Sequence, residues 1–420
     1  MKKERTNEKM EHVWLAVIAG GKGTRLFPIS HEGCPKQFCN LNSSQTFIQA
    51  TIQRFLNLGL DPTKILIITT NEGQTQLARE QTRKMGILGQ NICEVSEDWG
   101  YPGVMVKAAE IIKEYDDKAI IINTPSDQYI VENGGFRRAL FGALNVAEVT
   151  GRVAVVGVKI TDLITATGCG HVVFNPKADS DSGFFKMEDF IEKPEAEIAD
   201  RLMRSSSSAC NTGINVWKID TLLNVIDTEQ ISENKAAARH KGQRWELATD
   251  QFLKMFPEVY VTAGSFEWYD CGTLKALYEI SPKKTPHHKN ASIGGGSVDR
   301  TDCLNSLFYA ADRVRLHVTG FRGVSVTANV VEINGKTSPI VCITKLDKSQ
   351  KVKELAGDIS VSHNVLADDF QVDARNNLIM RSNISDEVVF GFVGVDNCIV
   401  NVYKNSDGAF DVFASQQVTA

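Results

Sequence analysis

Three glycines, Gly20, Gly21 and Gly23, are interleaved with Lys22 and Arg25 directly after an apolar run from Val13 to Ala19. Glycine lacks a Cβ, so its backbone N–H can approach an anion closely and its φ can turn positive. The two cations add charge to the same loop. This is the chemistry of a triphosphate cradle at the carboxyl end of a buried strand. Spacing excludes two commoner phosphate loops. No Gly-Lys-Ser/Thr lies at P-loop distance from Gly20 or Gly21. A dinucleotide fingerprint needs a third glycine where Leu26 stands.

Other candidates recur along the chain. Pro35-Lys36-Gln37-Phe38 adds a cation, and Pro35 restricts the backbone before Lys36. Ser126-Asp127 and Asp270 offer carboxylates. Glu192 and Lys193 precede Pro194, which also suits the first turn of a helix. Thr167-Gly168-Cys169-Gly170 and Asn211-Thr212-Gly213 are small, polar, glycine-bearing segments. Taken singly, each of these last segments also suits a plain turn.

The elements that must position these residues alternate. Apolar runs at 13–19, 64–69, 118–123 and 152–159 suit strands covered on both faces. Helical spacing marks 47–55 after a Ser43-Ser44 cap, and also 73–86, 103–115 and 135–149. The alternation predicts a doubly wound, mixed but mostly parallel α/β sheet. Ligands bind such sheets at the carboxyl ends of strands, where both the glycine loop and Asp127 fall. From about 165 the pattern turns mixed, with an antiparallel insert at 171–174 and 184–191. A helix at 195–204, a strand at 212–217, a helix at 247–255, a strand at 259–263 and a helix at 274–280 follow.

Residues 1–12 read as a flexible leader, 13–280 as the catalytic domain and 281–297 as a linker rich in proline, basic residues and glycine. Residues 298–420 read as a smaller β-rich domain with a diverged repeat. Segments starting at Val298 and Val372 match, as do those starting at Val318 and Val393.

Composition removes several classes of function. With 42% hydrophobic residues and no apolar run of membrane-span length, the chain reads as globular. A net charge of −5 argues against binding nucleic acid through its backbone. The charged first twelve residues lack a secretory apolar core. The nine cysteines contain no C-x-x-C pair, which predicts thiols in a reducing cytoplasm.

The run from Gly20 to Arg25 followed by Pro35-Lys36-Gln37-Phe38 resembles the sugar-1-phosphate nucleotidyltransferases, in particular the branch that joins GTP to mannose 1-phosphate. That family has a Rossmann-like nucleotidyltransferase domain and a small β-helical tail. The reaction this implies is attack of the sugar phosphate on the α-phosphorus, giving GDP-mannose and pyrophosphate. A phosphate monoester is already largely ionised at neutral pH, its second pKa being about 6, so no general base is required. The difficulty is repulsion. One like-charge pair at about 4 Å costs roughly 4 kcal/mol at an effective dielectric of 20.

The resemblance assigns roles residue by residue. Gly20, Gly21, Gly23 and Thr24 would bind the nucleotide. Arg25, Lys36 and Lys193 would be the catalytic cations. Gly168, Glu192 and Asn211 would face the sugar, and Asp127 and Asp270 would hold Mg2+. The implied partners are GTP and mannose 1-phosphate, with no nucleic acid or membrane, and exposed β edges in the tail suit homo-oligomers.

The sequence also departs from the family pattern. Trp99-Gly100-Tyr101-Pro102-Gly103 replaces a nucleotide-recognition segment, Gln128 stands where histidine is usual, and Thr165-Ala166 replaces Pro-Glu. These departures leave open another base or sugar, or a nucleotide-sugar-binding regulatory subunit without turnover.

Overall fold

The computed structural model describes residues 10–21, 26–31, 33–40, 45–95, 100–131, 133–176, 183–225, 249–282, 289–333, 336–347, 379–382, 389–393, 398–404 and 409–416. The chain forms two compact units, Met1–Gly21 with Ile48–Asp270, and Lys22–Phe47 with Cys271–Ala420. The stretch after Gly21 therefore groups with the C-terminal half, where the sequence places it in the first domain.

The first unit contains strands β1 (Val13–Ile18), β2 (Ile65–Thr69), β3 (Ile92–Glu94), β4 (Ile120–Pro125), β5 (Tyr129–Ile130), β6 (Val153–Val158), β7 (His171–Phe174), β8 (Phe185–Ile191), β9 (Ser208–Lys218), β10 (Val259–Gly264) and β11 (Trp268–Tyr269). Nine of them form one sheet in the order β3-β2-β1-β4-β9-β6-β10-β8-β7. β1 runs parallel to β2 and β4, β2 to β3, and β6 to β10. β9 is antiparallel to both β4 and β6, and β7 and β8 extend the edge in antiparallel fashion. The sheet is thus mixed, with a parallel half built on β1. β2 and β6 are buried along their whole length, which is why they read as unbroken apolar runs.

The helices are α1 (Phe47–Asn57), α2 (Glu72–Thr82), α3 (Gly100–Lys113), α4 (Gly134–Thr150), α5 (Leu163–Gly168), α6 (Ala196–Arg204), α7 (Ile219–Leu223) and α8 (Thr249–Lys254). α4 shows the local logic. Asn133 Oδ1 accepts from Gly135 N and Phe136 N at its start. Phe136, Leu140, Ala143 and Ala147 recur at helical spacing and are buried, and Gly151 ends the helix at φ 66°. Trp217 packs edge-on against Phe252 and stacks on Phe256, joining β9 to α8 in the core.

Two expectations change here. Residues 10–12 are anchored and not a loose leader, because Met10 is buried and His12 Nδ1 meets Asp116 Oδ1 at 2.9 Å. The strand read at 212–217 is the second half of an eleven-residue strand, β9. The Ser43-Ser44 cap lies outside the described residues.

In the second unit, helix α9 (Leu274–Ile280) precedes strands β12 (Ala291–Ile293), β13 (Ser297–Thr301), β14 (Leu307–Ala310), β15 (Val314–Thr319), β16 (Val324–Ile333), β17 (Lys336–Lys345), β18 (Ile379–Ser382), β19 (Val389–Val393), β20 (Cys398–Lys404) and β21 (Phe410–Gln416). They make two five-stranded sheets, β12-β14-β16-β17-β19 and β13-β15-β21-β20-β18. From β12 to β16 the chain alternates between the sheets, and same-sheet neighbours run parallel, as in a β-helical coil. β16 and β17, and β20 and β21, pair antiparallel and reverse the path. Phe308, Leu316 and Phe321 fill the interior.

β12 lies inside the stretch read as a linker, so Ala291–Ile293 belongs to the β-rich unit. The segment starting at Val318 spans the passage from β15 to β16, and residues 394–397 of the segment starting at Val393 lie outside the described residues. The segment at Val372 lies outside the described residues.

Candidate active site

The carboxyl ends of β1 and β4 lie side by side, with Ile18 paired to Pro125. Ser126 follows β4 and binds back to β1, its N and Oγ both donating to Ile18 O, at 3.1 and 2.8 Å. Asp127 is therefore held next to the strand end from which Gly20 and Gly21 emerge. Thr51 Oγ1 supports the same turn by donating to Ser126 O at 3.3 Å.

Gly20 is glycine for a steric reason. A Cβ there would lie 2.4 Å from Thr70 Cγ2. Gly21 has φ +125°, which L side chains rarely adopt. Its carbonyl accepts from Gln74 Nε2 at 3.3 Å, and Gln74 Oε1 accepts in turn from Thr70 N and Oγ1. The N-terminal turn of α2, capped by Asn71, thus fixes the start of the loop. Lys22, Gly23, Thr24 and Arg25 lie outside the described residues.

Asp270 reaches this region on a two-stranded ribbon. Trp268 pairs with Ile130 and Tyr269 with Tyr129, so Asp270 continues the register toward Gln128, next to Asp127. Gln128 is buried and acts as a clamp. Its Nε2 donates to Thr212 O at 2.6 Å, and its Oε1 accepts from Trp268 Nε1 at 3.0 Å. It thereby ties the Asp127 turn to β9 and β11 together. The residue read as a departure from the family is a structural keystone here. Nothing local in the sequence signals this, because the partners lie 84 and 140 residues away.

Asp127 and Asp270 supply hard oxygen donors. Among the described residues no group of three or more His, Cys, Asp or Glu side chains could hold a metal. Two carboxylates fit Mg2+, which is usually held by one or two carboxylates with phosphates and water completing the shell.

The sugar-facing candidates meet around β7, β8 and β9. Pairing of His171 with Ile191 brings Gly170 against the end of β8. A Cβ on Gly170 would lie 2.5 Å from Phe190 Cζ and 2.7 Å from Glu192 Oε2, so only glycine leaves room for Glu192. Nothing lies within 4 Å of the Cβ position of Gly168. Lys193 has φ 40°, and its Nζ sits 3.2 Å from Glu192 Oε1 with both side chains more than a third exposed. Asn211 N donates to Gly170 O, and Asn211 Oδ1 accepts from Gly213 N. Gly213, at φ +74°, packs against Pro125. Gly168, Gly170, Glu192, Lys193 and Asn211 therefore share one end of the sheet with Asp127.

Two features differ from the sequence reading. Cys169 and Cys210 form a disulfide that staples the glycine segment to β9 just before Asn211. The sequence predicts thiols, since cysteines far apart along the chain reveal no pairing. The second feature is Tyr101, from the altered 99–103 segment. It is half-buried, with its hydroxyl taking hydrogen bonds from Asn123 Nδ2 at 2.7 Å and Asn215 Nδ2 at 3.0 Å, and desolvation pushes its phenol up. Its hydroxyl oxygen is therefore engaged by this polar cluster. Trp99 lies outside the described residues.

His171 is buried behind the glycine segment. Burial lowers its imidazole below the ordinary 6.5, and its Nε2 donates to Ala166 O at 2.9 Å, so the ring is held neutral.

Lys36 belongs to the second unit. It opens a 3-10 turn, Lys36–Phe38, is nearly fully buried, and its Nζ lies 5.6 Å from the centre of the Phe47 ring.

These observations fit a nucleotidyltransferase. The profile of the nucleotidyl transferase family matches residues 15–286, and the chain belongs to that family. A mannose-1-phosphate guanylyltransferase of Sinorhizobium fredii is 23% identical over 370 residues, spanning 83% of this chain and 68% of the relative. The xanthan biosynthesis protein XanB of Xanthomonas campestris pv. campestris is 26% identical over 372 residues, spanning 83% and 74%. Among solved structures, one from Thermus thermophilus described as a mannose-1-phosphate geranyltransferase superposes with a TM-score of 0.66 at 23% identity. It covers 83% of this chain and 100% of its own. The chain is an enzyme of the sugar-1-phosphate nucleotidyltransferase class. No helix among the described residues is long and apolar enough to cross a membrane.

Proposed function

We propose that the protein transfers a guanylyl group from GTP to mannose 1-phosphate, releasing pyrophosphate and forming GDP-mannose. The observation that carries this reading is the tie from Ser126 to Ile18, which sets Asp127 beside Gly20 and Gly21, with Asp270 arriving on the adjoining ribbon. That arrangement suits a triphosphate and a divalent cation at one strand end. The carbohydrate specificity rests on the named relatives.

Gly20 and Gly21 bring backbone toward the triphosphate, with Arg25 and Lys36 assigned to phosphate by their motifs alone. Asp127 and Asp270 would hold Mg2+, whose chemistry here is neutralisation of phosphate charge. Glu192 and Asn211 orient the sugar hydroxyls, and Lys193 offsets the charge of the sugar phosphate. The sugar phosphate is already the nucleophile, so these residues act by positioning and charge compensation. A reading with another base stays in view because the Tyr101 hydroxyl is turned to Asn123 and Asn215.

The test is pyrophosphate release across a panel of nucleoside triphosphates and sugar 1-phosphates with Mg2+. GTP with mannose 1-phosphate should give the highest kcat/KM. A higher value for another pair would overturn the substrate assignment, and no release with any pair would overturn the reading as a whole.

A further inference from the structure

The turn that carries Lys36 is bracketed by two cysteines, in the run Cys34-Pro35-Lys36-Gln37-Phe38-Cys39. Their sulfurs face each other. Cys34 Sγ and Cys39 Sγ lie 3.6 Å apart in S–H···S contact. The turn is compact, with Phe38 N donating to Pro35 O at 2.9 Å and Cys39 N to Lys36 O at 3.0 Å. His31 and Cys34 exchange backbone hydrogen bonds, and Asn329 Nδ2 donates to Pro28 O at 2.6 Å. The pair thus sits on a fixed platform within the second unit.

We propose that Cys34 and Cys39 are a redox-active dithiol that closes into a disulfide around Lys36 and weakens binding of the nucleoside triphosphate. The co-reactant is a low-molecular-weight disulfide such as glutathione disulfide. The consequence for the triphosphate rests on the assignment of Lys36 to phosphate.

The two thiols differ in a way that orders the chemistry. Cys34 is partly exposed, while Cys39 is buried. The hydrogen bond from Cys39 lowers the Cys34 thiol. The same bond, with burial, pushes the Cys39 thiol up. Cys34 is therefore the attacking thiolate and Cys39 the resolving thiol. The Cys34 thiolate attacks one sulfur of the oxidant, forming a mixed disulfide and expelling one thiolate. Cys39 then loses its proton and attacks Cys34 Sγ, and the second small thiol leaves. The protein gives up two electrons and two protons, and the oxidant is reduced to two thiols.

A disulfide needs sulfurs about 2.05 Å apart. Closing from 3.6 Å brings the Cys34 and Cys39 sulfurs together across the turn that Lys36 opens. The effect on the triphosphate requires that part of this movement falls on the turn backbone and shifts Lys36, the rest being taken up by rotation of the cysteine side chains.

The experiment uses the full-length protein equilibrated in glutathione buffers from reduced to oxidised, then acid-quenched, alkylated and mapped by mass spectrometry. In parallel, pyrophosphate release is measured in the same buffers. Cys34 and Cys39 should leave the alkylatable pool together as a linked pair, with KM for the triphosphate rising about tenfold, the worth of one charged hydrogen bond. Dithiothreitol should reverse both changes. Cys34→Ser and Cys39→Ser should each keep reduced-state activity and lose the redox response.

A Cys34 that stops at a mixed disulfide, or a linked pair that leaves KM unchanged, overturns the proposal. An equal redox response in both serine variants overturns it too, and would point to Cys169 and Cys210. Mapping needs no turnover. A linked pair in a protein with no transferase activity in any buffer would refute the proposed substrates and leave the dithiol standing.

Discussion

Replacing Gln128 by Leu probes the junction on which the geometry of the site depends. The glutamine is 5% exposed and makes two hydrogen bonds, one to Thr212 O and one from Trp268 Nε1. Leucine nearly keeps the volume but removes both. A carbonyl and an indole N–H then lose these partners in the interior, at about 1–3 kcal/mol each. Burying the leucine returns about 1 kcal/mol of this, leaving a net loss of about 1–5 kcal/mol. With a urea m-value of about 3 kcal/mol/M, the unfolding midpoint should fall by roughly 1 M.

The effect on function should be specific. Gln128 joins the Asp127 turn to Thr212, next to Asn211, and to Trp268, two residues before Asp270. Its loss should raise the Mg2+ concentration for half-maximal rate and KM for the sugar phosphate together. Gln128→Glu keeps the acceptor for Trp268 but sets a carboxylate against Thr212 O, so at pH 8 it should be at least as damaging. If Gln128→Leu stays within about 0.5 kcal/mol of wild type and its Mg2+ dependence is unchanged, the clamp argument is wrong.

Three further outcomes follow from the same geometry. Gly20→Ala should cut pyrophosphate release sharply, because its Cβ would lie 2.4 Å from Thr70 Cγ2. The double variant with Thr70→Ser, which removes that methyl and keeps the hydroxyl, should recover part of the rate. His171 is neutral when folded, with its imidazole lowered by burial, so the unfolded chain binds the extra proton first as pH falls below 6.5. Stability should therefore be fully present above that pH and decline below it, and His171→Phe should flatten this part of a urea-midpoint profile against pH. The Cys169–Cys210 disulfide closes 41 residues, worth about 4 kcal/mol in loop entropy, so dithiothreitol should lower the urea midpoint of wild type and leave Cys169→Ser unchanged.

What the sequence disclosed was local. β1, β2 and β6 were legible because each is buried on both sides, and α4 because its apolar residues repeat at helical spacing. Asp127 and Asp270 could be singled out because each stands in a recognisable short motif. Pairing over long separations was hidden. Nothing in the 212–217 run told that β9 begins at Ser208 and runs antiparallel between β4 and β6. The clamp at Gln128, the hydrogen bonds to the Tyr101 hydroxyl and the joining of Cys169 to Cys210 likewise depend on partners far along the chain. The grouping of 22–47 with the C-terminal half has the same origin, since hydrogen bonds such as Asn329 to Pro28 span 301 residues.

The central claim is transfer of a nucleotidyl group at the end of β1 and β4, with Asp127 and Asp270 as the carboxylates. Phosphorus NMR of wild type with GTP, mannose 1-phosphate and Mg2+ tests it most directly, alongside Asp127→Asn and Asp270→Asn checked for intact folding by circular dichroism. GDP-mannose and pyrophosphate should appear in equal amounts with wild type, and each folded variant should lose at least about a hundredfold in rate, as removal of a charge-stabilising group does. Wild-type rates in both folded variants, or pyrophosphate without GDP-mannose, would contradict the account.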